Sequence, residues 1–348
     1  MPLRVLLALL TCTLLGGCYL LASAKGQLEL NARRVPIATL LARPDTPERL
    51  RHWLEVATQV RDFASRELGL PDNKSYRSYA DVGRRYVVWN VFAAPEFSVE
   101  PKTWCFPVAG CVAYRGYFGE APARRFAARL KAKGFDSMVG GVAAYSTLGH
   151  FNDPVLNTML DWDDVELAAL LFHELAHQLL YVKNDTEFDE SFASVVENEG
   201  VRRWLAHEGR SAALAGFLGR EARYREVATL LGGARTRLQA LYARALPAAQ
   251  AREAKQAEFE RLRQAYQERR SEFGTGYDWM FGAELNNATL VSVGTYQGCA
   301  PGLEARLRAS PSLEAFYADA RALARLAMGE RHRAVCGASV VAPDTVAP

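Results

Sequence analysis

"DDVELAALLFHELAHQLLYV", residues 163–182, is the stretch that decides how this chain folds and what it can bind. Asp163 and Glu166, three residues apart, have the spacing of a helix capping box. Leucines recur after them at helical intervals, which predicts one amphipathic helix ending near residues 183–185. On that helix His173 and His177 are one turn apart, about 6 Å along the axis and on the same face.

His173, Glu174 and His177 together predict a metal site with a catalytic acid–base group. Two imidazoles one turn apart can bind one zinc ion at about 2.0–2.1 Å. Glu174 is rotated by about 100° from His173. It can therefore act on water at the ion without being a ligand. The alternative is an ordinary helix with two partly buried histidines. It is disfavoured because unpaired polar rings in a Leu/Ala-rich helix are costly.

A catalytic zinc site takes three protein ligands and leaves one position open. The acidic stretch "TEFDESFASVVENEG" (186–200) follows the predicted helix. Glu190 lies thirteen positions after His177, enough to end one helix and begin an antiparallel one. Glu197 lies two turns later on nearly the same face, as a rival ligand or a partner of the site. We expect one Zn²⁺ per chain, held by His173, His177 and Glu190.

The first eighteen residues, "MPLRVLLALLTCTLLGGC", have the layout of a signal peptide: one arginine and an apolar run too short to span a bilayer stably. The end resembles a bacterial lipobox, which implies removal of 1–17 and a lipid on Cys18. A plain signal peptide and an uncleaved anchor are the alternatives. Tyr19 at the next position implies the outer membrane, facing the periplasm. The membrane is thus an expected partner, whereas a net charge of +3 does not indicate nucleic acid.

Four cysteines remain after Cys12 and Cys18 are set aside, an even number in an exported chain. Of the three pairings that four cysteines allow, we favour Cys105–Cys111, which closes a small loop, together with Cys299–Cys336. Zinc binding by these cysteines is disfavoured because no CxxC pair occurs.

The rest of the chain is predicted to form one domain after a short leading segment. Residues 18–45 are a tether and leading segment, and 46–348 are a single domain with a helical insertion at about 201–270. That insertion carries a basic surplus, interpreted as solvated helix faces or, alternatively, as a surface for anionic lipid. The expected fold class is α+β, helix-rich and zincin-like, with a small mixed or antiparallel sheet packed on the metal-binding helix. Helices are expected at 45–70, 120–133, 163–182 and 311–328, and strands near 85–94, 111–118 and 137–149.

"HELAH" followed by "DESFA" resembles the gluzincin metallopeptidases. The wider set "WCFPVAGCVAYRGYF", "GGVAAYSTLG", "HELAHQ" and "LNNA" resembles a bacterial family of predicted zinc aminopeptidases, many of them predicted lipoproteins. The resemblance implies zinc ligands at His173, His177 and Glu190, Glu174 as general base, and peptide substrates. Two features depart from the large gluzincin aminopeptidases: the gap to the third ligand is short, and their Gly-x-Met-Glu-Asn motif is absent.

The expected function is therefore a zinc-dependent peptidase of the bacterial cell envelope, with aminopeptidase activity implied by the resemblance. Tyr145, Tyr277 and Tyr296 are candidate donors to the oxyanion. Asn286 and Asn287 are either substrate contacts or parts of a structural turn. Two alternatives stay open: a non-catalytic zinc-binding envelope lipoprotein, and a metallohydrolase of a non-peptide amide such as a cell-wall component.

Overall fold

The computed structural model describes residues 19–106, 110–144, 146–294 and 298–336. It confirms a helix-rich α+β fold with small sheets. The helices are α1 (19–32), α2 (Ile37–Ala42), α3 (Glu48–Arg66), α4 (Glu120–Lys131), α5 (Asp164–Leu179), α6 (Thr186–His207), α7 (Ser211–Ala243), α8 (Ala248–Glu268), α9 (Arg270–Phe273), α10 (Asn287–Gly294), α11 (Ala300–Ala309), α12 (Leu313–Ala324) and α13 (Met328–Val335). The strands are β1 (Val35–Pro36), β2 (Ser78–Ala80), β3 (Val88–Pro95), β4 (Trp104–Phe106), β5 (Gly110–Val112), β6 (Tyr114–Tyr117), β7 (Phe135–Val142) and β8 (Val155–Leu156).

The main hydrophobic core lies around α3, α5 and α6. It also takes in Leu30 of α1 and Leu40 of α2, so the leading segment shares the core of the rest of the chain. Helices α5 and α6 approach each other closely at Gly200, where a Cβ atom would lie 2.7 Å from the Phe172 ring. Glycine at that position therefore sets the spacing of the two helices that carry the predicted ligands.

The principal sheet is antiparallel, with strand order β6-β3-β7. Because side chains alternate along a strand, Val91 and Ala93 of β3 face α4, where they form a small core. Val88 and Asn90 face the opposite way and line a cavity that also borders α5. The predicted strand at 137–149 is displaced, since β7 occupies Phe135–Val142. Two smaller sheets complete the strands: β1-β2-β8, in which β2 and β8 are parallel, and the β4–β5 hairpin.

Helices α7 and α8 pack on each other within the region predicted to be a helical insertion. They share a hydrophobic cluster of their own, in which Val227, Leu231 and Leu238 of α7 meet Phe259 and Leu262 of α8. Across the described ranges, no helix is long and apolar enough to cross a membrane.

Two disulfides connect the described cysteines in the expected pairing. Cys105–Cys111 joins directly paired residues of β4 and β5. Cys299–Cys336 joins the start of α11 to the end of α13. His332 lies near this second pair, but sulfurs already bonded to each other are not the thiolates that a zinc site requires.

Candidate metal centre

The predicted metal-binding helix is present as α5, with the expected start. The Asp163 carboxylate accepts a hydrogen bond from the Glu166 backbone, and the Glu166 carboxylate accepts one from the Asp163 backbone, which completes the capping box. The helix buries Leu171, Phe172 and Leu175 in the main core. His173 and His177 are thereby left on the side that borders the cavity.

The N-terminus of α6 is held by a buried ion-pair cluster centred on Asp185. This carboxylate caps the helix by accepting a hydrogen bond from the Phe188 backbone. Arg331 of α13 binds it at 2.6 and 2.7 Å, and His332 binds it at 2.8 Å. Asp185 and Arg331 are 3% and 2% exposed, so the pair is shielded from solvent. The C-terminal helix therefore fixes the turn that begins α6.

A second contact fixes α6 relative to the end of α5. The Val182 backbone N–H donates to the Asp189 carboxylate at 2.8 Å. Burial raises the pKa of Asp189 to about 8. Glu190 is the next residue along α6, so this link sets where its side chain emerges.

The three predicted ligands meet at one point. Nε2 of His173 and Nε2 of His177 are 3.2 Å apart, and Oε2 of Glu190 is 3.3 Å from the first and 3.6 Å from the second. Ligands at about 2.0–2.1 Å from a tetrahedral zinc ion are separated by about 3.3–3.4 Å from one another. The three atoms form a triangle, named here for His173, His177 and Glu190, with the dimensions of one face of a zinc tetrahedron. Its two imidazoles and one carboxylate are a donor set that suits zinc.

Glu197 lies on the far side of His173, where it contacts the other ring nitrogen. Its Oε2 is 2.9 Å from Nδ1 of His173. An ionised carboxylate only accepts hydrogen bonds, so Nδ1 carries the proton and, in the neutral ring, Nε2 presents its lone pair. Such a carboxylate–histidine contact orients metal-binding histidines. The structure therefore places Glu190 among the three converging atoms and Glu197 behind His173.

The charges around the triangle favour a bound cation. Burial by itself would lower the pKa of His173, but its hydrogen bonds to Glu190 and Glu197 raise that pKa well above the usual range. Burial opposes ionisation of Glu190, yet the neighbouring imidazoles bring its pKa down to about 2. Nε2 of His173 and a carboxylate oxygen of Glu190 face each other at 3.3 Å. Because both atoms carry lone pairs, a positive charge must lie between them, either a proton or a metal ion.

Glu174 borders the same cavity, whose volume is about 380 Å³. Burial raises the pKa of Glu174, while the two histidines act in the opposite direction. Glu174 thus shares the cavity with the triangle and is not one of its three converging residues. Candidate metal ligands, a further carboxylate and open space therefore lie within one pocket.

The remaining predicted residues divide into two groups. Cys18, Tyr145 and Tyr296 lie outside the described residues. Tyr277 stacks on Tyr224 in the α7–α8 region and is not among the residues that line the cavity. Asn286 and Asn287 make structural hydrogen bonds, to Ser137 in β7 and to the backbone at 95–96 respectively. These two asparagines therefore fix the start of α10 against β7 and the end of β3.

Tyr181 and Asn90 also line the cavity, although neither was predicted from the sequence. Tyr181 continues the four-residue spacing of His173 and His177, a signal that could have identified it. Burial, reinforced by the carboxylates of Asp189 and Glu190, raises the pKa of Tyr181 to about 12, so its hydroxyl stays protonated. Asn90 reaches the cavity through the register of the sheet, which a single strand does not reveal.

One comparison with known proteins gives a match. Residues 18–335 match the profile of a family described as "Putative aminopeptidase". Comparison with curated proteins and with solved structures gives no match. Since the matched segment covers most of the chain, the protein belongs to this aminopeptidase family.

Proposed function

We propose that this protein is a zinc-dependent peptidase of the bacterial cell envelope, acting as an aminopeptidase. The observation that carries the proposal is the triangle of His173, His177 and Glu190, with the Glu174 carboxylate on the same cavity. A site that only stabilised the fold would need no basic group beside it. Membership of the aminopeptidase family supports a peptide as the substrate.

His173, His177 and Glu190 would hold the zinc ion, which when bound would supply Lewis acidity toward water and a carbonyl group. Glu174 accepts a proton from the water that adds to the peptide carbonyl carbon. It returns that proton to the amine nitrogen as the C–N bond breaks, which leaves an amine and a carboxylic acid that keeps the second proton of the water until it ionises. Glu197 keeps His173 in one tautomer throughout. The Tyr181 hydroxyl is a donor to the developing oxyanion, alongside the predicted Tyr145 and Tyr296.

The decisive experiment compares two Glu→Gln variants of helix α5. We expect Glu174→Gln to bind one zinc ion per chain and to lose at least about 99% of peptide hydrolysis, within the range of a lost general base. Glu166→Gln is the matched control, because glutamine also completes a capping box. Full activity of Glu174→Gln across a peptide library would refute the mechanism. Cuts inside the peptides, with no release of N-terminal residues, would identify an endopeptidase.

The envelope location rests on the lipobox ending at Cys18. We expect Cys18→Ala to move the protein from the membrane to the soluble fraction and to abolish incorporation of a labelled fatty acid. Cys12→Ala, in the segment removed on processing, is the control and should change neither. Unaltered membrane attachment of Cys18→Ala would support an uncleaved anchor instead.

A further inference from the structure

The cavity beside the metal site continues beyond the triad toward helix α1, and that part of its lining is apolar. Apart from His173, His177, Glu174 and Glu190, no described residue that lines the cavity carries an ionisable acid or base of the Asp, Glu, His, Lys or Arg type. The apolar lining includes Leu20, Val88, Phe106, Val112, Tyr114 and Phe118.

The floor of the cavity is the face of the sheet opposite α4. Asn90 of β3 pairs with Gly116 of β6 on one side and with Gly140 of β7 on the other. These glycines carry no side chain, so the floor is open around Asn90. A Cβ atom at Gly116 would lie 3.1 Å from Val88 and 3.2 Å from Oδ1 of Asn90. The side-chain amide of Asn90 makes no hydrogen bond to another described residue, so it can contact a ligand.

The far wall comes from the first turn of α1, at the start of the described chain. The Tyr19 hydroxyl donates to the Gly116 carbonyl at 2.9 Å. Its ring packs edge-on against Tyr117 and lies 5.8 Å from the Phe106 ring. The guanidinium of Arg115 lies 3.9 Å from the centre of the same ring. Tyr19 is therefore fixed from several sides.

Helix α1 also packs closely against Phe118 further along its length. At Gly26, two turns after Tyr19, a Cβ atom would lie 2.3 Å from the Phe118 ring, so only glycine permits the approach. Phe118 itself lines the cavity. The leading helix thus forms part of the binding pocket as well as part of the core.

We propose that this apolar part of the cavity binds a large apolar side chain, aliphatic or aromatic, of a residue that flanks the scissile bond. Tyr19 is the specificity-determining residue of its far wall. The inference rests on the peptidase function proposed above and names its substrate class. Burial of an apolar side chain here is favourable. A charged side chain would lose its hydration without gaining an opposite charge in the apolar part.

The test measures binding separately from hydrolysis. Zinc-loaded Glu174→Gln protein is titrated calorimetrically with the tripeptide amides Xaa-Ala-Ala and Ala-Xaa-Ala, where Xaa is Leu, Phe, Ala, Lys or Asp. In at least one series we expect Leu and Phe peptides to bind at least about tenfold more tightly than Lys and Asp peptides, within the range for apolar pockets. The same ranking is expected for kcat/KM of the wild-type enzyme.

Two pocket variants and one control variant in this background assign the effect to the pocket. Tyr19→Ala should reduce the preference for Phe over Ala by about tenfold. Tyr224→Ala, on α7 and outside the cavity, should leave that preference unchanged. Asn90→Asp changes the charge of the pocket with little change of shape, so it should shift the preference toward Lys. It tests the pocket independently if Tyr19→Ala does not fold.

The outcomes separate the two proposals. Tight, selective binding of apolar peptides without cleavage by the wild-type protein would overturn the peptidase function and leave the pocket assignment intact. Cleavage and binding without side-chain preference would overturn the pocket assignment alone. Equal affinity of all peptides for the wild-type pocket, or no change of ranking in either Tyr19→Ala or Asn90→Asp, would also refute it.

Discussion

Removing the carboxylate behind His173 should weaken zinc binding without removing a ligand. Oε2 of Glu197 is 2.9 Å from Nδ1 of His173, and the two side chains are 25% and 14% exposed. A hydrogen bond to a charged group contributes about 1.5–3 kcal/mol. Its loss in Glu197→Ala therefore corresponds to zinc binding about 10- to 150-fold weaker, in line with the effect of losing a partner of a metal-bound histidine. Glu197→Gln can still accept the hydrogen bond, so its loss should be smaller.

The assay is competition for zinc with a chromophoric chelator, with circular dichroism to establish that each variant is folded. Glu199→Ala is the matched control on the same helix. Glu199 pairs with Arg202 and Arg203 rather than with the metal site, so its removal should change zinc affinity by less than about twofold. Wild-type affinity in Glu197→Ala would refute the reasoning. Complete loss of zinc from Glu197→Ala, with zinc retained by Glu190→Ala, would make Glu197 the third ligand.

Three further predictions concern the packing that supports the site. Gly200→Ala should force α6 away from Phe172 and lower the free energy of unfolding by about 1–3 kcal/mol, measured by urea titration; an unchanged midpoint would contradict the close packing. Replacing Cys299 and Cys336 by serine removes a disulfide with a sequence separation of 37, so the free energy of unfolding should fall by about 3–4 kcal/mol. Removing the Cys105–Cys111 disulfide, with a separation of 6, should lower it by about 2 kcal/mol. Equal losses from the two replacements would contradict the dependence on loop length. Arg331→Met removes the main cationic partner of the buried Asp185 carboxylate, so the free energy of unfolding should fall by about 3–5 kcal/mol and zinc should bind more weakly. Wild-type stability of this variant would show that His332 alone balances the Asp185 charge.

Helix α5 could be predicted from the sequence because its determinants are local. The capping box, the leucine spacing and the one-turn separation of His173 and His177 all lie within a few turns of one another. The close spacing of Cys105 and Cys111 likewise favoured one disulfide, which left a single partner for each of the other two cysteines. The helix-rich α+β class followed from the same kind of periodic pattern.

The division of roles between Glu190 and Glu197 could not be settled in this way. Both residues lie on nearly the same face of α6, and both carry the same functional group. The contact at Gly200 and the anchoring of the α6 N-terminus by Asp185 decide which carboxylate meets Nε2 and which meets Nδ1 of His173. These contacts join α6 to Phe172 of the preceding helix and to Arg331 of α13, 146 positions from Asp185.

The sequence by itself determined the candidate metal-binding residues: two histidines and a glutamate on one helix, with carboxylates shortly after it, because helical spacing is a local property. The tertiary structure decided what surrounds that chemistry. Asn90 faces the cavity through strand register, and Tyr19 reaches it through a hydrogen bond to Gly116, 97 positions away. Part of the segment expected to be a tether and leading segment thus forms a wall of the pocket, because local sequence patterns do not show burial against a distant strand.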